Sequence, residues 1–353
     1  MILLENLRNT NMSLYFSINR SLGLVYVAIA LIMLSAYGTD ESKTRNKTKQ
    51  MIPVILDTDA NNELDDQHAI AYMLFNSEIF DIKGITVNDT YNGGGIQGHV
   101  DEATRVVDLC NFRDKVKIIP GASESYYQIK EDLDKDDFDG REAVDFIIDE
   151  ARRIEKQKLV LVPIGKLTNI TLALEKAPDI AKKVKVVWLG SNWPGPGEYN
   201  LINDTSSLAP LLENDDLEFE ILTVRYGEPS GTDAVSLSVE EVRRTMTGLG
   251  PKVDPVPGRH GGTFTCFGDY SVELYKKYGE AIRPIFDVCA LVILKYPEYG
   301  KKTLVKGASF DGENWDLDGN PEREVIFWED FDKAAIIKEF YKTMQKSEEL
   351  YQK

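Results

Sequence analysis

Five acids fall within ten residues in the run Asp57-Thr58-Asp59-Ala60-Asn61-Asn62-Glu63-Leu64-Asp65-Asp66. Carboxylates this close repel one another if all are ionised in one crevice, and a bound cation is the usual remedy. Ligands that are all oxygen favour a hard ion, Ca²⁺ or Mg²⁺. An acid near a helix N-terminus is stabilising without any metal, but a cap uses one or two acids, not five. The run therefore reads first as a metal site and second as a cap cluster.

The flanking residues place these acids. Ile52 to Leu56 is a short apolar, β-branched run, the mark of a buried strand. Asp65 to Phe75 has helical apolar spacing. The acids thus sit where a strand ends and a helix opens, the place where ligands bind in open α/β sheets. The alternation continues. Strands are expected at 82–87, 117–119, 159–162, 184–189 and 219–224, and helices at 99–110, 142–154, 170–175, 239–246, 269–278, 287–294 and 330–344. Residues 121–139 read as a long acidic surface loop, and 310–328 as a β-hairpin turning at Asp318-Gly319-Asn320. Short apolar strands alternating with helices define an α/β fold, an open, mostly parallel sheet covered by helices on both faces, in a single domain. Two further strand ends deliver polar loops to the same edge, Gly165-Lys166-Leu167-Thr168-Asn169 and Gly190 to Asn200.

The formal net charge of −17 argues against nucleic acid or an anionic membrane as a partner. Three scattered cysteines give neither a disulfide framework nor zinc spacing. Arg20, the apolar stretch Leu22 to Leu34 and the small residues Ser35, Ala36 and Gly38 follow the order of a secretory signal. Residues 1–38 are therefore expected to be a signal peptide, 39–50 a polar linker and 51–353 the catalytic domain of an exported protein, with no membrane contact beyond the leader. Tyr37 stands where a lipidated Cys would be needed.

Four pieces in order resemble the inosine-uridine-preferring nucleoside hydrolase family: the acidic loop; Leu167-Thr168-Asn169 after a buried strand; Asn192 with Glu198-Tyr199-Asn200 and Asp204; and Asp287 opening a late apolar helix. The resemblance implies a Ca²⁺-dependent hydrolase that cleaves the N-glycosidic bond of small ribosides. It implies Asp59, Asp66, Asp287 and the Thr168 carbonyl as Ca²⁺ ligands, and Asp59 as the base acting on water. It implies Asp65, Asn88, Asn192, Glu198 and Asn200 as contacts to the sugar. Whether the chain associates with copies of itself is left open.

Two departures stand out. The loop is two residues longer than the family's Asp-Thr-Asp-Pro-Gly-x-Asp-Asp, and Asn61-Asn62-Glu63 lies where Pro-Gly is usual. Asn62 or Glu63 could therefore join the metal or sugar contacts. Phe286 stands where the family often places a His before the late Asp, so the leaving group lacks its usual acid. Of three histidines, His260, beside Arg259 in a Gly-rich loop, is the candidate catalytic acid. Two other readings remain at this stage. One is a haloacid-dehalogenase-like Mg²⁺ phosphatase with Asp57 as nucleophile. The other is a Ca²⁺-dependent nucleoside- or sugar-binding protein without turnover.

Overall fold

The computed structural model describes residues 50–347; the expected leader and most of the linker lie outside the described residues. From Met51 onward the described residues form one compact unit. The first half alternates strand and helix: β1 (Ile52–Thr58), α1 (Asp65–Phe75), β2 (Phe80–Val87), α2 (Ile96–Leu109), β3 (Ile118–Pro120), α3 (Arg141–Arg153), β4 (Leu159–Pro163) and α4 (Thr168–Lys176). The second half adds β5 (Val184–Ser191), α5 (Tyr199–Asn203), β6 (Glu218–Thr223), α6 (Val239–Met246), α7 (Phe267–Tyr278), α8 (Phe286–Lys295), β7 (Lys301–Lys306), β8 (Glu324–Glu329) and α9 (Lys333–Lys346).

The eight strands form one sheet in the order β7-β8-β6-β5-β4-β1-β2-β3. All neighbours run parallel except β7 against β8. The alternating pleat of β1 explains how one strand serves two cores: Val54 and Leu56 point to one face and Ile55 to the other. The first face is covered by α1, α2, α7, α8 and α9, and the second by α3 and α4. Each fully buried Ile or Leu contributes roughly 1.5–3 kcal/mol, so the sheet is locked from both sides.

Chain order reverses at β1, which lies between β2 and β4. From there the sheet grows outward in two directions, leaving a crevice at the carboxyl ends of the central strands, where ligands bind in such sheets. The expected hairpin across 310–328 is replaced by a nested arrangement. Lys301–Lys306 pairs with Glu324–Glu329 and encloses a smaller ladder, Ser309–Phe310 with Trp315–Asp316. The Asp318-Gly319-Asn320 turn lies between them, where the Gly319 N–H donates to the Gly307 carbonyl at 3.0 Å. The long loop after β3 also contains a helical turn, Tyr126–Ile129, opened by a Ser125–Gln128 capping box.

Candidate active site

β1 ends in the middle of the crevice, and its two terminal acids have different surroundings. Asp57 is fully enclosed. It accepts from the Thr86 hydroxyl at 2.6 Å, the Asn88 amide at 2.5 Å and the Asn169 amide at 2.8 Å. Burial pushes its carboxyl up to about 6, against the pull of those three donors. Both oxygens are occupied and neither faces the cavity, so Asp57 joins β1, β2 and α4 and cannot act as the nucleophile of a phosphatase.

Asp59 is equally buried but only half satisfied. One oxygen accepts from Thr90 at 2.7 Å and from Asn62 at 2.5 Å. The other, Oδ1, is buried without a hydrogen-bond partner among the described residues. Gly165, at the end of β4, makes room for it: a Cβ there would lie 2.9 Å from Asp59 Oδ1 and 2.8 Å from Asn88 Nδ2. Burial, then the charges of Asp65 and Glu198, push Asp59 up to about 8 despite the Thr90 hydrogen bond.

At the first turn of α1, Asp66 accepts from the Thr58 hydroxyl at 2.5 Å. Asp65, Asp66 and Asp287 each offer an oxygen, and these atoms lie within 4.8 Å of one another. All three side chains are buried. Burial, reinforced by mutual repulsion, holds all three carboxyls well above the usual carboxylate range. Like charges gathered in a dry crevice call for a cation, and an all-carboxylate set with a further unpartnered oxygen on Asp59 suits a hard divalent ion.

The longer loop is pinned from outside. The Asn61 N–H donates to His99 Nδ1 at 3.0 Å, and its amide to the Gly93 carbonyl at 2.6 Å. Arg259 reaches the carbonyls of Glu63 at 3.0 Å and Asn62 at 3.2 Å, and the Tyr278 hydroxyl donates to the latter at 2.7 Å. Glu63 closes an ion pair with Arg283. His260, the expected acid, is exposed and does not line the cavity. A tight turn explains this: the Gly258 N–H bonds the Gly262 carbonyl at 3.1 Å, leaving His260 on the outer side while Arg259 bonds inward.

The cavity above the acids has a volume of about 310 Å³. Asp65, Asp66, Asp287, Glu198 and Asn200 line its polar side. Glu198 caps α5 by accepting the Leu201 N–H at 3.0 Å, and burial pushes its carboxyl up to about 7. Asn200 spends its amide hydrogens on the carbonyls of Ile164 and Leu189, both at 2.9 Å, which leaves its oxygen as the part able to meet a ligand. Phe286 and Tyr226 line the wall, edge to face at 6.2 Å.

The other expected site residues do not line this cavity. Asn88 is turned to Asp57. Thr168, expected to ligate through its carbonyl, has its side chain fixed elsewhere by the hydroxyl it donates to Asp204 at 2.5 Å. Asn192 donates to the Pro196 carbonyl at 3.2 Å and accepts the Tyr226 N–H at 3.1 Å, so it positions the loop that carries Tyr226 rather than facing the cavity. Asp65, assigned to the sugar alone, joins Asp66 and Asp287 in the cluster, and Asp59, expected as a ligand, is not among the oxygens gathered there. Sequence reasoning assigned no role to Thr90, Arg283 or Tyr226; Asn62 was a candidate metal or sugar contact through its position in the lengthened loop, and here it donates to Asp59.

This architecture and acidic cluster define a class, and comparison with known proteins agrees. The model of the family "Inosine-uridine preferring nucleoside hydrolase" matches residues 54–337, and the chain belongs to that family. An inosine-uridine preferring nucleoside hydrolase of Leishmania major is 27% identical over 165 residues, covering 46% of this chain and 49% of that protein. The chain thus matches about half the length of that curated relative. An uncharacterised protein of Schizosaccharomyces pombe is 49% identical over 45 residues, covering 13% of this chain and 14% of that protein. Among solved structures, a plant nucleoside hydrolase superposes with a TM-score of 0.63 at 17% identity, over 84% of this chain and 99% of that one. A purine-preferring ribonucleoside hydrolase from Gardnerella vaginalis gives 0.60 at 20% identity, with 84% and 99% covered. These likenesses establish a shared fold.

Proposed function

We propose that the protein is a Ca²⁺-dependent hydrolase of the N-glycosidic bond of ribosides, releasing ribose and the aglycone. The observation that carries this reading is the meeting of Asp65, Asp66 and Asp287, with Asp59 close enough for its charge to act on Asp66 and Asp287 and with one Asp59 oxygen unpartnered among the described residues. Those three carboxylates would hold the ion. When bound, Ca²⁺ would orient and acidify a water and engage sugar hydroxyls. Asp59 is the base in this scheme, because its free oxygen can take a proton while Thr90 and Asn62 hold the other. Glu198 and the Asn200 oxygen are the acceptors for sugar hydroxyls. The carboxylates around the ring offset the positive charge that builds on the anomeric carbon in an oxocarbenium-like transition state. Phe286 and Tyr226 give a planar aglycone an aromatic wall.

The test is ribose release from a panel of ribosides with Ca²⁺ and after chelation. We expect turnover of p-nitrophenyl riboside with Ca²⁺, slower release from inosine and uridine, and loss of all turnover on chelation. The absence of ribose from every riboside in the presence of Ca²⁺ would refute the reading and leave binding without turnover.

A further inference from the structure

The cavity is lined by many carboxylates and, among its described lining residues, by one cation, Arg283. Its position is unusual. Arg283, Pro284 and Phe286 lie on one segment and line one wall, just ahead of Asp287. Phe286 is a hydrocarbon and cannot protonate a departing group. The Tyr226 phenol on the same wall is a poor proton source, because burial and then the Glu198 charge hold it against ionisation. The Arg283 guanidinium is held in place but not exhausted. It lies over the Tyr278 ring at 5.1 Å, and one nitrogen donates to Glu280 at 2.9 Å while another meets Glu63 from the lengthened loop. Its Nε–H is buried and has no acceptor among the described residues.

Resting on the riboside-hydrolase reading, we propose that Arg283 is a further catalytic residue, the charge partner of a leaving group that departs as an anion. The chemistry balances without an acid. Water oxygen bonds to the anomeric carbon, and a carboxylate takes the proton this water gives up. The bond from the anomeric carbon to the aglycone breaks, and its electron pair stays on the aglycone. That anion faces the guanidinium, leaves, and is protonated in solvent. A fixed guanidinium stabilises charge as it develops and, unlike imidazole, is always protonated. The substrate class follows: ribosides whose aglycone forms a stable anion, such as nitrophenols or heterocycles with an acidic N–H, in preference to aglycones that must be protonated to depart. Glu63 has a part in this as the anchor that the longer loop supplies.

The experiment measures kcat/KM on ribosides of graded leaving-group acidity for the parent, Arg283→Gln and Arg283→Lys, all saturated with Ca²⁺. Removing one preorganised donor to developing charge typically costs about 10²–10³-fold, so Arg283→Gln should lose about 100-fold on phenyl riboside and less than about 5-fold on p-nitrophenyl riboside. Arg283→Lys should recover most of the loss on phenyl riboside. A melting scan with Ca²⁺ shows whether each variant is folded. A uniform loss across leaving groups, in either folded variant, would assign Arg283 to holding the loop and overturn the proposal alone. Failure of the parent on every riboside would remove the underlying reading and this proposal with it.

Discussion

Asp57 in β1 and Asp59 just past its end are two residues apart, yet their chemistry differs because their neighbours differ. Asp57 is surrounded by donors from Thr86, Asn88 and Asn169 and holds the floor of the site. Asp59 keeps one oxygen free. Asp57→Asn should therefore act on stability before chemistry, since its new NH₂ would face donors instead of accepting from them. An unsatisfied buried group costs about 1–3 kcal/mol, and hydrogen bonds to a charged group lie at the top of that range. We expect about 2–4 kcal/mol of lost stability in urea unfolding of the Ca²⁺-free protein; an unchanged midpoint would show that the three donors are satisfied otherwise. The acids of this loop were legible because five of them in ten residues exceed what capping needs. Which acid does what was not legible, because it depends on Thr90 and Gly165, from the loops after β2 and β4, and on Asn169 in α4. His260 shows the converse: a residue type suited to chemistry, in a loop of the right composition, turned away by a local glycine turn.

At the scale of elements, strands with unbroken apolar runs were read within two residues and helices with clear spacing within three. Asp65–Phe75 and Val239–Met246 stand as expected from their spacing. The carboxyl-terminal strands were not, because β7 is an edge strand that exposes Lys301, Lys302, Leu304 and Lys306 and its partner lies beyond an intervening small hairpin. That edge is fastened by a group no sequence pattern announces. Glu220 of β6, nearly fully buried, binds Lys185 of β5 at 2.8 Å, Lys302 of β7 at 3.0 Å and the Trp328 indole of β8 at 2.7 Å. Burial alone would raise its carboxyl. The Lys185 ammonium, the Trp328 donor and Lys302 outweigh it and hold the group below its usual 4.5. A depressed acid stabilises the fold above its unfolded value and loses that contribution as pH falls through the folded one. Stability should therefore drop as pH falls below about 4.5, and Glu220→Gln should remove that part of the drop while costing about 1–3 kcal/mol near neutrality. Denaturant midpoints of both proteins on either side of the window check it; parallel pH profiles would clear Glu220 of the role.

At the scale of the molecule, the carboxylate cluster joins the start of α1 to the start of α8, two helices that pack against each other on one face of the sheet. An ion bound there ties together distant parts of the chain and should stabilise the whole fold. At about 100 times its dissociation constant a ligand contributes about 2.7 kcal/mol, so Ca²⁺ should raise the parent's melting temperature by several degrees. Asp66→Asn should lose most of that rise, and a full Ca²⁺-induced shift in the variant would remove Asp66 from the ligand set.

The spacing of Asp65, Asp66 and Asp287 also bears on how the protein is made. Synthesis runs from the amino end, and domains fold as their residues emerge. The acidic loop leaves the ribosome with its first helix, but the carboxylate that completes the cluster follows only after most of the domain has been translated. Until then the early acids have no way to grip an ion through this trio, so nascent chains and amino-terminal fragments do not draw on the cell's divalent cations through it. Parallel pairing between segments far apart in sequence is slow to form. A chelate there would thus be an assembly checkpoint, one that forms only once α8 has been made and has packed on α1, ahead of the last two strands of the sheet and α9.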